Sequence, residues 1–302
     1  MPAKRMLVAF GLCAWALALN AREVAITIDD LPRGGDGGSV SLVDVRAMTR
    51  QLLTPFQQQK IPVTGFVNAG RLPGLGDDGL RQILELWLDA GADLGNHSYS
   101  HPDLNEVALS VYVDDVLKGE PELRRALSAH GKNLRYFRHP YLHTGATRKT
   151  QQALRRFLDQ RGYRVAPVTF DNADYEFAAL YTRAAYKERV ALEYVPYMES
   201  VVSFFEHRSV DVLGRAIPQI LLIHANQMNA DLMPDLLAML RRRGYSFISL
   251  EQALADRAYS QPDDDVESNG ISWLHRWAAT KGLAPKSEPD PPQWVVQASA
   301  NL

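Results

Sequence analysis

Two adjacent carboxylates close an apolar run near the start of the sequence. In Glu23–Pro32 (EVAITIDDLP), Val24-Ala25-Ile26-Thr27-Ile28 runs straight into Asp29 and Asp30. A β-branched apolar run of this length predicts a strand covered on both faces. Ending it on two aspartates is costly in a dry place, because like charges repel and neither is well solvated. Either the pair is a solvated turn or a cation neutralises it. Further along, Asn96–His101 reads NHSYSH. An i,i+4 pair, His97 and His101, on a helical turn sets both imidazoles on one side, suited to a single metal ion. Alone, the spacing equally describes two partly exposed histidines. Beside the aspartate pair it makes a three-ligand site, Asp plus two His, which leaves positions free for water and substrate as catalytic metal sites do. Oxygen and imidazole donors suit zinc, and also cobalt, nickel or manganese.

The elements that must bring these residues together alternate along the chain. The apolar patterning predicts strands at 24–28, 62–69, 93–96, 134–137, 163–170, 219–223 and 246–250. Helices are expected at 43–60 with Ser41 as cap, then at 80–90, 109–129, 147–161 and 231–243, several of them stopped by glycine. A long helical excursion is expected over 175–208, broken near Pro196, the only proline in that stretch. About seven strand–helix alternations mean a parallel sheet with outer helices, closed as a barrel or doubly wound. Six strand ends carry or adjoin polar residues: Asp29-Asp30, Asn68, His97, Arg138, Asp171 and His224. Carboxyl strand ends share one rim, so residues far apart in sequence are expected to gather there. The Gly-rich run Arg33–Ser39 lacks a following GK[ST], and its central Asp36 opposes an anion, so it reads as a flexible rim loop and not as a phosphate cradle.

Bulk properties narrow the classes. The chain has 302 residues, is 46% hydrophobic and 23% charged, and carries a formal net charge of −2. This is ordinary globular composition, ample for a core, with no electrostatic case for nucleic acid or an anionic membrane. Residues 1–21 read as a signal peptide, with Lys4 and Arg5 followed by the uncharged stretch Met6–Leu19 and a cut after Ala21. That stretch is short for a membrane span, so no stable insertion is expected after cleavage, and the protein is expected to be exported, periplasmic or secreted. The one cysteine, Cys13, lies inside it, so the mature chain offers no disulfide, thiolate metal site or cysteine nucleophile. Residues 259–302 turn rich in Pro, Asp and Ser around the apolar patch Ile271–Trp277. This is expected to be a tail packing on the domain, with its end extended or disordered.

Five ordered motifs resemble those of the polysaccharide deacetylases with a NodB homology domain, carbohydrate esterase family four, over roughly residues 23–257. Thr27–Pro32 looks like that family's T-F-D-D-G-P, and His97–His101 like its H-S/T-x-x-H. Arg138-His139-Pro140-Tyr141 resembles R-x-P-Y, Asp171–Tyr175 resembles D-x-x-D-W, and Leu222-Ile223-His224 matches L-x-H. Leu31 and Leu142 stand where the pattern has glycine, His139 where proline is frequent, and Tyr175 where it has Trp. None of these removes a ligand or an acid–base group. The resemblance implies a distorted (β/α)7 barrel over residues 22–258 with an inserted helical segment at 176–218. It implies that Asp30, His97 and His101 hold one divalent metal, usually zinc. Asp29 would be the general base, supported by Arg138. His224 would be the general acid, with Asp171 or Asp174 holding its tautomer. The backbone N–H of Tyr141 would receive the oxyanion. His139 and His143 flank the same turn and either touch substrate or fill space. His130, His207 and His275 read as structural or surface residues, Trp87 as helix core, and Trp273 and Trp277 as packing or as sugar-stacking rings.

The expected activity is hydrolytic removal of acyl groups, N-acetyl before O-acetyl, from an acetylated amino-sugar polymer. Two competitors stand beside it: a metal-dependent amidase or esterase for a small non-carbohydrate substrate, and a non-catalytic carbohydrate-binding barrel. Oligomeric state is not expressed in the sequence.

Overall fold

The computed structural model describes residues 22–266 and 269–302. The expected leader, with Cys13 inside it, lies outside the described residues. Strand β1 (Arg22–Leu31) is the axis of the sheet, buried from Val24 onward. It runs parallel to β2 (Val63–Val67) on one flank and to β6 (Gln219–His224) on the other, while β7 (Tyr245–Phe247) pairs with its first residues. The order continues from β2 through β3 (Asp93–Asn96) and β4 (Tyr136–Phe137) to β5 (Arg164–Val165). A bridge from Phe170 to Leu221 carries the curl round toward β6. With helices outside, this curled, all-parallel sheet is a distorted (β/α)7 barrel.

Register is what aims the polar residues. Asp29 pairs directly with His224, and Asn96 with Phe137, so His97 and Arg138 leave neighbouring strands side by side. Between Ile28 and Leu31 the pairing with β2 shifts, and Asp30 takes a left-handed φ of 65°. A regular strand would send Asp29 and Asp30 to opposite faces. The irregularity turns both toward the rim.

Around the sheet lie α1 (Leu42–Gln59), α2 (Gly76–Asp89), α3 (Leu109–Lys118), α4 (Glu120–Ala129), α5 (Arg148–Gln160), α6 (Asp174–Tyr181), α7 (Lys187–Leu213), α8 (Gln227–Arg242) and α9 (Leu250–Leu254). Several differ from the sequence expectation. The single helix expected over 109–129 is two, parted at Gly119, with Pro121 in the first turn of α4 where its missing N–H costs nothing. The break expected near Pro196 is absent: α7 runs through it, and the helix stops instead between α6 and α7. Pro196 and Leu192 both face solvent, so the carbonyl freed by the proline can be hydrated, while Tyr194, Met198, Val201, Val202 and Phe205 hold the buried face. The expected fifth strand shrinks to two residues because Pro167 cannot donate to a ladder. The seventh ends at Phe247, where Ser249 and Gln252 form a capping box that starts α9.

Two stretches expected to be loose are ordered. Arg33 and Asp36 form a buried ion pair at 2.8 Å. Asp36 also accepts from the backbone N–H groups of Gly38 and Gln227, so the Gly-rich loop is pinned rather than flexible. In the tail, α10 (Trp273–Thr280) buries Trp273, Leu274 and Trp277, so both indoles pack against the barrel. The chain end is also helical: α11 (Gln293–Ser299) lies on α6, buries Val295, and bonds Glu193 through the indole of Trp294 at 2.6 Å. No helix of the described residues is long and apolar enough to cross a membrane.

Gly119 is a point of close approach. A Cβ there would stand 2.9 Å from Asn96 Oδ1 and 3.0 Å from the Ser98 carbonyl oxygen. Gly119→Ala is expected to destabilise the fold by about 1–3 kcal/mol through overpacking, read as a lower urea midpoint. An unchanged midpoint would contradict the close approach.

Candidate active site

The end of β1 and the segment after β3 supply the centre, with Arg138 beside it at the end of β4. Asp30, His97 and His101 each present one ligand atom, and these atoms all lie within 4.8 Å of one another. The Asp30 Oδ1 to Nε2 distances are 3.8 Å for His97 and 3.7 Å for His101. Asp30 Oδ1 is buried and accepts no hydrogen bond, which is costly for a carboxylate oxygen unless a cation completes its surroundings. Its other oxygen pairs with Arg71 at 3.0 Å. Burial alone would raise the Asp30 pKa, but Arg71 and then His224 outweigh it and hold the group ionised.

The imidazoles are prepared in the complementary way. His97 Nδ1 lies 2.9 Å from the Arg138 carbonyl, which can only accept, so Nδ1 carries the proton and Nε2 offers its lone pair. Burial, reinforced by His101, drives the His97 pKa well down, and burial also lowers that of His101. Both rings are thus neutral, as metal ligands must be. An ionised carboxylate, two neutral imidazoles and an orphaned buried oxygen between them fit a divalent cation.

Asp29 stands beside this cluster, its Oδ2 3.8 Å from His97 Nε2. The buried guanidinium of Arg138 donates to Asp29 Oδ2 at 3.2 Å and to Thr27 Oγ1 at 3.0 Å. Burial raises the Asp29 pKa to about 6 even though Arg138 and His224 pull it down. Across the register, His224 Nδ1 meets Asp174 Oδ1 at 2.6 Å, and the His224 backbone N–H donates to Asp174 Oδ2 at 2.9 Å. Asn229 adds a third donor to the same carboxylate at 2.7 Å. Burial disfavours the imidazolium of His224, but Asp174 outweighs it, with Asp30 and Asp29 adding, and the pKa is raised to about 9. Asp174, not Asp171, therefore orients this histidine. Asp171 accepts from the Asn172 N–H, and burial, reinforced by Glu288 of the tail, raises its pKa to about 7.

Tyr141 is half exposed, with its ring 4.4 Å from that of His101, and Tyr175 stands edge-on to His224 at 6.3 Å. His143 is tied to Asp103 at 2.7 Å. His139 lies elsewhere, against Phe137, lining a cavity of about 330 Å³ between the barrel and Trp273 and Trp277. Burial and the nearby Arg276 and Arg138 lower its pKa to about 3. Thr27, Arg71 and Asn229 are contributors that sequence reading passed over. Only Thr27, within the first motif, had a positional signal.

A curled parallel sheet with an Asp–His–His cluster on its carboxyl rim defines an α/β barrel with a candidate metal centre. Residues 17–166 match the family model described as polysaccharide deacetylase, and the chain belongs to that family. A peptidoglycan-N-acetylglucosamine deacetylase of Bacillus cereus is 30% identical over 125 residues, 40% of this chain and 37% of that protein. A chitin deacetylase of Colletotrichum lindemuthianum is 27% identical over 153 residues, 51% of this chain and 53% of that protein. The chain thus matches about a third to a half of the length of these relatives. A solved mutant of a CE4 family pseudoenzyme, whose wild type is from Bacillus anthracis, shares the fold at a TM-score of 0.51 and 18% identity, covering 78% of this chain and 68% of that one.

The raised pKa of His224 has a definite sign. Folded above its ordinary value of about 6.5, the pair with Asp174 adds stability that is fully present below that value and lost as pH rises through about 9. An NMR titration of the imidazole should give a midpoint near 9. In Asp174→Asn it should fall by about one unit or more. An unmoved midpoint would dissociate Asp174 from the shift.

Proposed function

We propose that this protein is a metal-dependent hydrolase that removes acyl groups, N-acetyl first, from an amino-sugar polymer or oligosaccharide. The observation that carries this reading is the convergence of Asp30, His97 and His101 on one point, with Asp29 and His224 flanking it. The family match and the printed names of the two relatives support the substrate class. Zinc is the proposed ion, on the oxygen and imidazole donor set. Bound there, a divalent cation lowers the pKa of a water and polarises an acyl oxygen.

The chain's own residues supply the remainder. Asp29, held by Arg138, accepts a proton from the attacking water. The Tyr141 backbone N–H, on a turn held in the left-handed region with φ of 55°, donates to the oxygen that gains negative charge. His224, charged at neutral pH through Asp174, gives its proton to the departing amine as the C–N bond breaks. The half-exposed rings of Tyr141 and Tyr175 flank this pair, apolar surfaces on which a sugar ring can rest. The leader expected over residues 1–21 supports export, and the proposed site of action is periplasmic or secreted.

Acetate release should be measured on acetylated chito-oligomers, peptidoglycan, xylan and a simple acetyl ester. The expected result is release from an amino-sugar substrate, lost with chelator and restored by zinc. Asp29→Asn should retain the metal and lose roughly 10²–10⁴-fold in kcat, whereas His97→Ala should lose the metal itself. Full activity in Asp29→Asn would overturn the base assignment. Release confined to the simple ester, or undiminished by chelator, would overturn the reading.

A further inference from the structure

We propose that Asp115, on α3 and outside all five motifs, is a positioning residue for the loop that carries His97 and His101. The inference rests on the metal-site reading above. The segment 98–101 leaves β3 without entering a ladder, and two of its residues, Ser98 at φ 68° and His101 at φ 59°, sit in the left-handed region. Its four consecutive backbone N–H groups all donate to side-chain oxygens. The Ser98 N–H donates to Asn96 Oδ1 at 2.8 Å, and the His101 N–H to Ser98 Oγ at 3.1 Å. Between them, the N–H groups of Tyr99 and Ser100 both donate to Asp115 Oδ1, at 2.8 and 2.9 Å, while Ser100 Oγ donates to Asp115 Oδ2 at 2.5 Å.

Asn96 and Ser98 belong to the same short segment and move with it. Asp115 does not: it is presented by a helix, and it is the one N–H acceptor that ties the loop to another element. Non-glycine residues hold left-handed backbone only where their surroundings over-determine it. A carboxylate accepting three donors from two adjacent residues is such a constraint, placed immediately before His101. Lys118, one turn further along α3, sets its ammonium 3.7 Å from the centre of the Tyr99 ring and binds the loop to the same helix. On the opposite side the loop carbonyls are held by the chain after β2, with the Gly70 N–H donating to Tyr99 O at 2.8 Å. The loop is therefore clamped between two elements, and Asp115 is the side-chain half of the clamp.

The test is zinc competition against a chromophoric chelator, with circular dichroism confirming the fold. Asp115→Ala is expected to weaken zinc binding by about 10–100-fold, the range seen when the support behind metal ligands is removed. Asp115→Asn keeps an oxygen for both N–H groups and should stay close to the wild type. Asp115→Glu keeps the charge but displaces the acceptor, so it should weaken zinc as the alanine does; it also carries the test should Asp115→Ala fail to fold. Wild-type affinity in the folded alanine and glutamate variants would overturn the proposal. So would an asparagine variant as weak as alanine, because charge and not position would then be the cause. A wild type that binds no zinc would instead overturn the metal-site reading, and this inference with it.

Discussion

Two neighbouring carboxylates are made to coexist at the end of a buried strand, and most of the architecture around the rim follows from that demand. Asp29 and Asp30 are both largely withdrawn from water. Each is stabilised by a different guanidinium, Asp29 by that of Arg138 and Asp30 by that of Arg71, while two imidazole nitrogens face the remaining oxygen of Asp30 at 3.8 and 3.7 Å. The register shift after Ile28 lets adjacent residues serve one site, and His97 Nε2 ends 3.8 Å from an oxygen of each. A cation at the third point would complete the balance, since a buried carboxylate oxygen with no donor is unfavourable by itself.

Arg138 couples the parts. Its guanidinium holds Asp29, while its backbone carbonyl fixes the tautomer of His97, so one residue sets both the charge of the proposed base and the orientation of a ligand. Asp174 does the corresponding work for His224, receiving its backbone N–H, its ring and Asn229. Among the described residues six non-glycines have positive φ: Lys60 caps α1, and the other five, Asp30, Ser98, His101, Tyr141 and Leu142, all lie at the rim. Such conformations cost on the order of 1–3 kcal/mol each and persist only under external constraint. That explains the density of side-chain-to-backbone hydrogen bonds behind these loops.

The tail and helix α6 belong to this constraint as much as to stability. Gly270 packs against the Tyr141 carbonyl, where a Cβ would collide, so the C-terminal strap rests on the turn that presents Tyr141. Glu288 reaches the surroundings of Asp171 and pairs with His275. The inserted segment is continuous with the site too, because α6 begins at Asp174 itself. Its partner helix α11 covers the outer side of α6.

Much of this was legible in the residues. The apolar run ahead of Asp29, the i,i+4 histidines and the polar ends of the predicted strands imply a parallel sheet with its chemistry on one rim, because strand period and β-branched composition are local properties. What local pattern could not express is who pairs with whom. Asp171 and Asp174 are equivalent in sequence, and only the packing of α6 against β6 brings Asp174 to His224. His139 sits between Arg138 and Pro140, yet its side chain goes to a separate cavity, because alternate residues leave the chain on opposite sides. The break at Gly119 depends on its close approach to Asn96 and Ser98, and the continuity through Pro196 on which face is wet. Residue types and spacing thus determined the candidate ligand set and the sheet. Register, solvent exposure and the supporting contacts of Arg71, Asp115 and Asn229 were decided only in three dimensions, where groups far apart in the chain first meet.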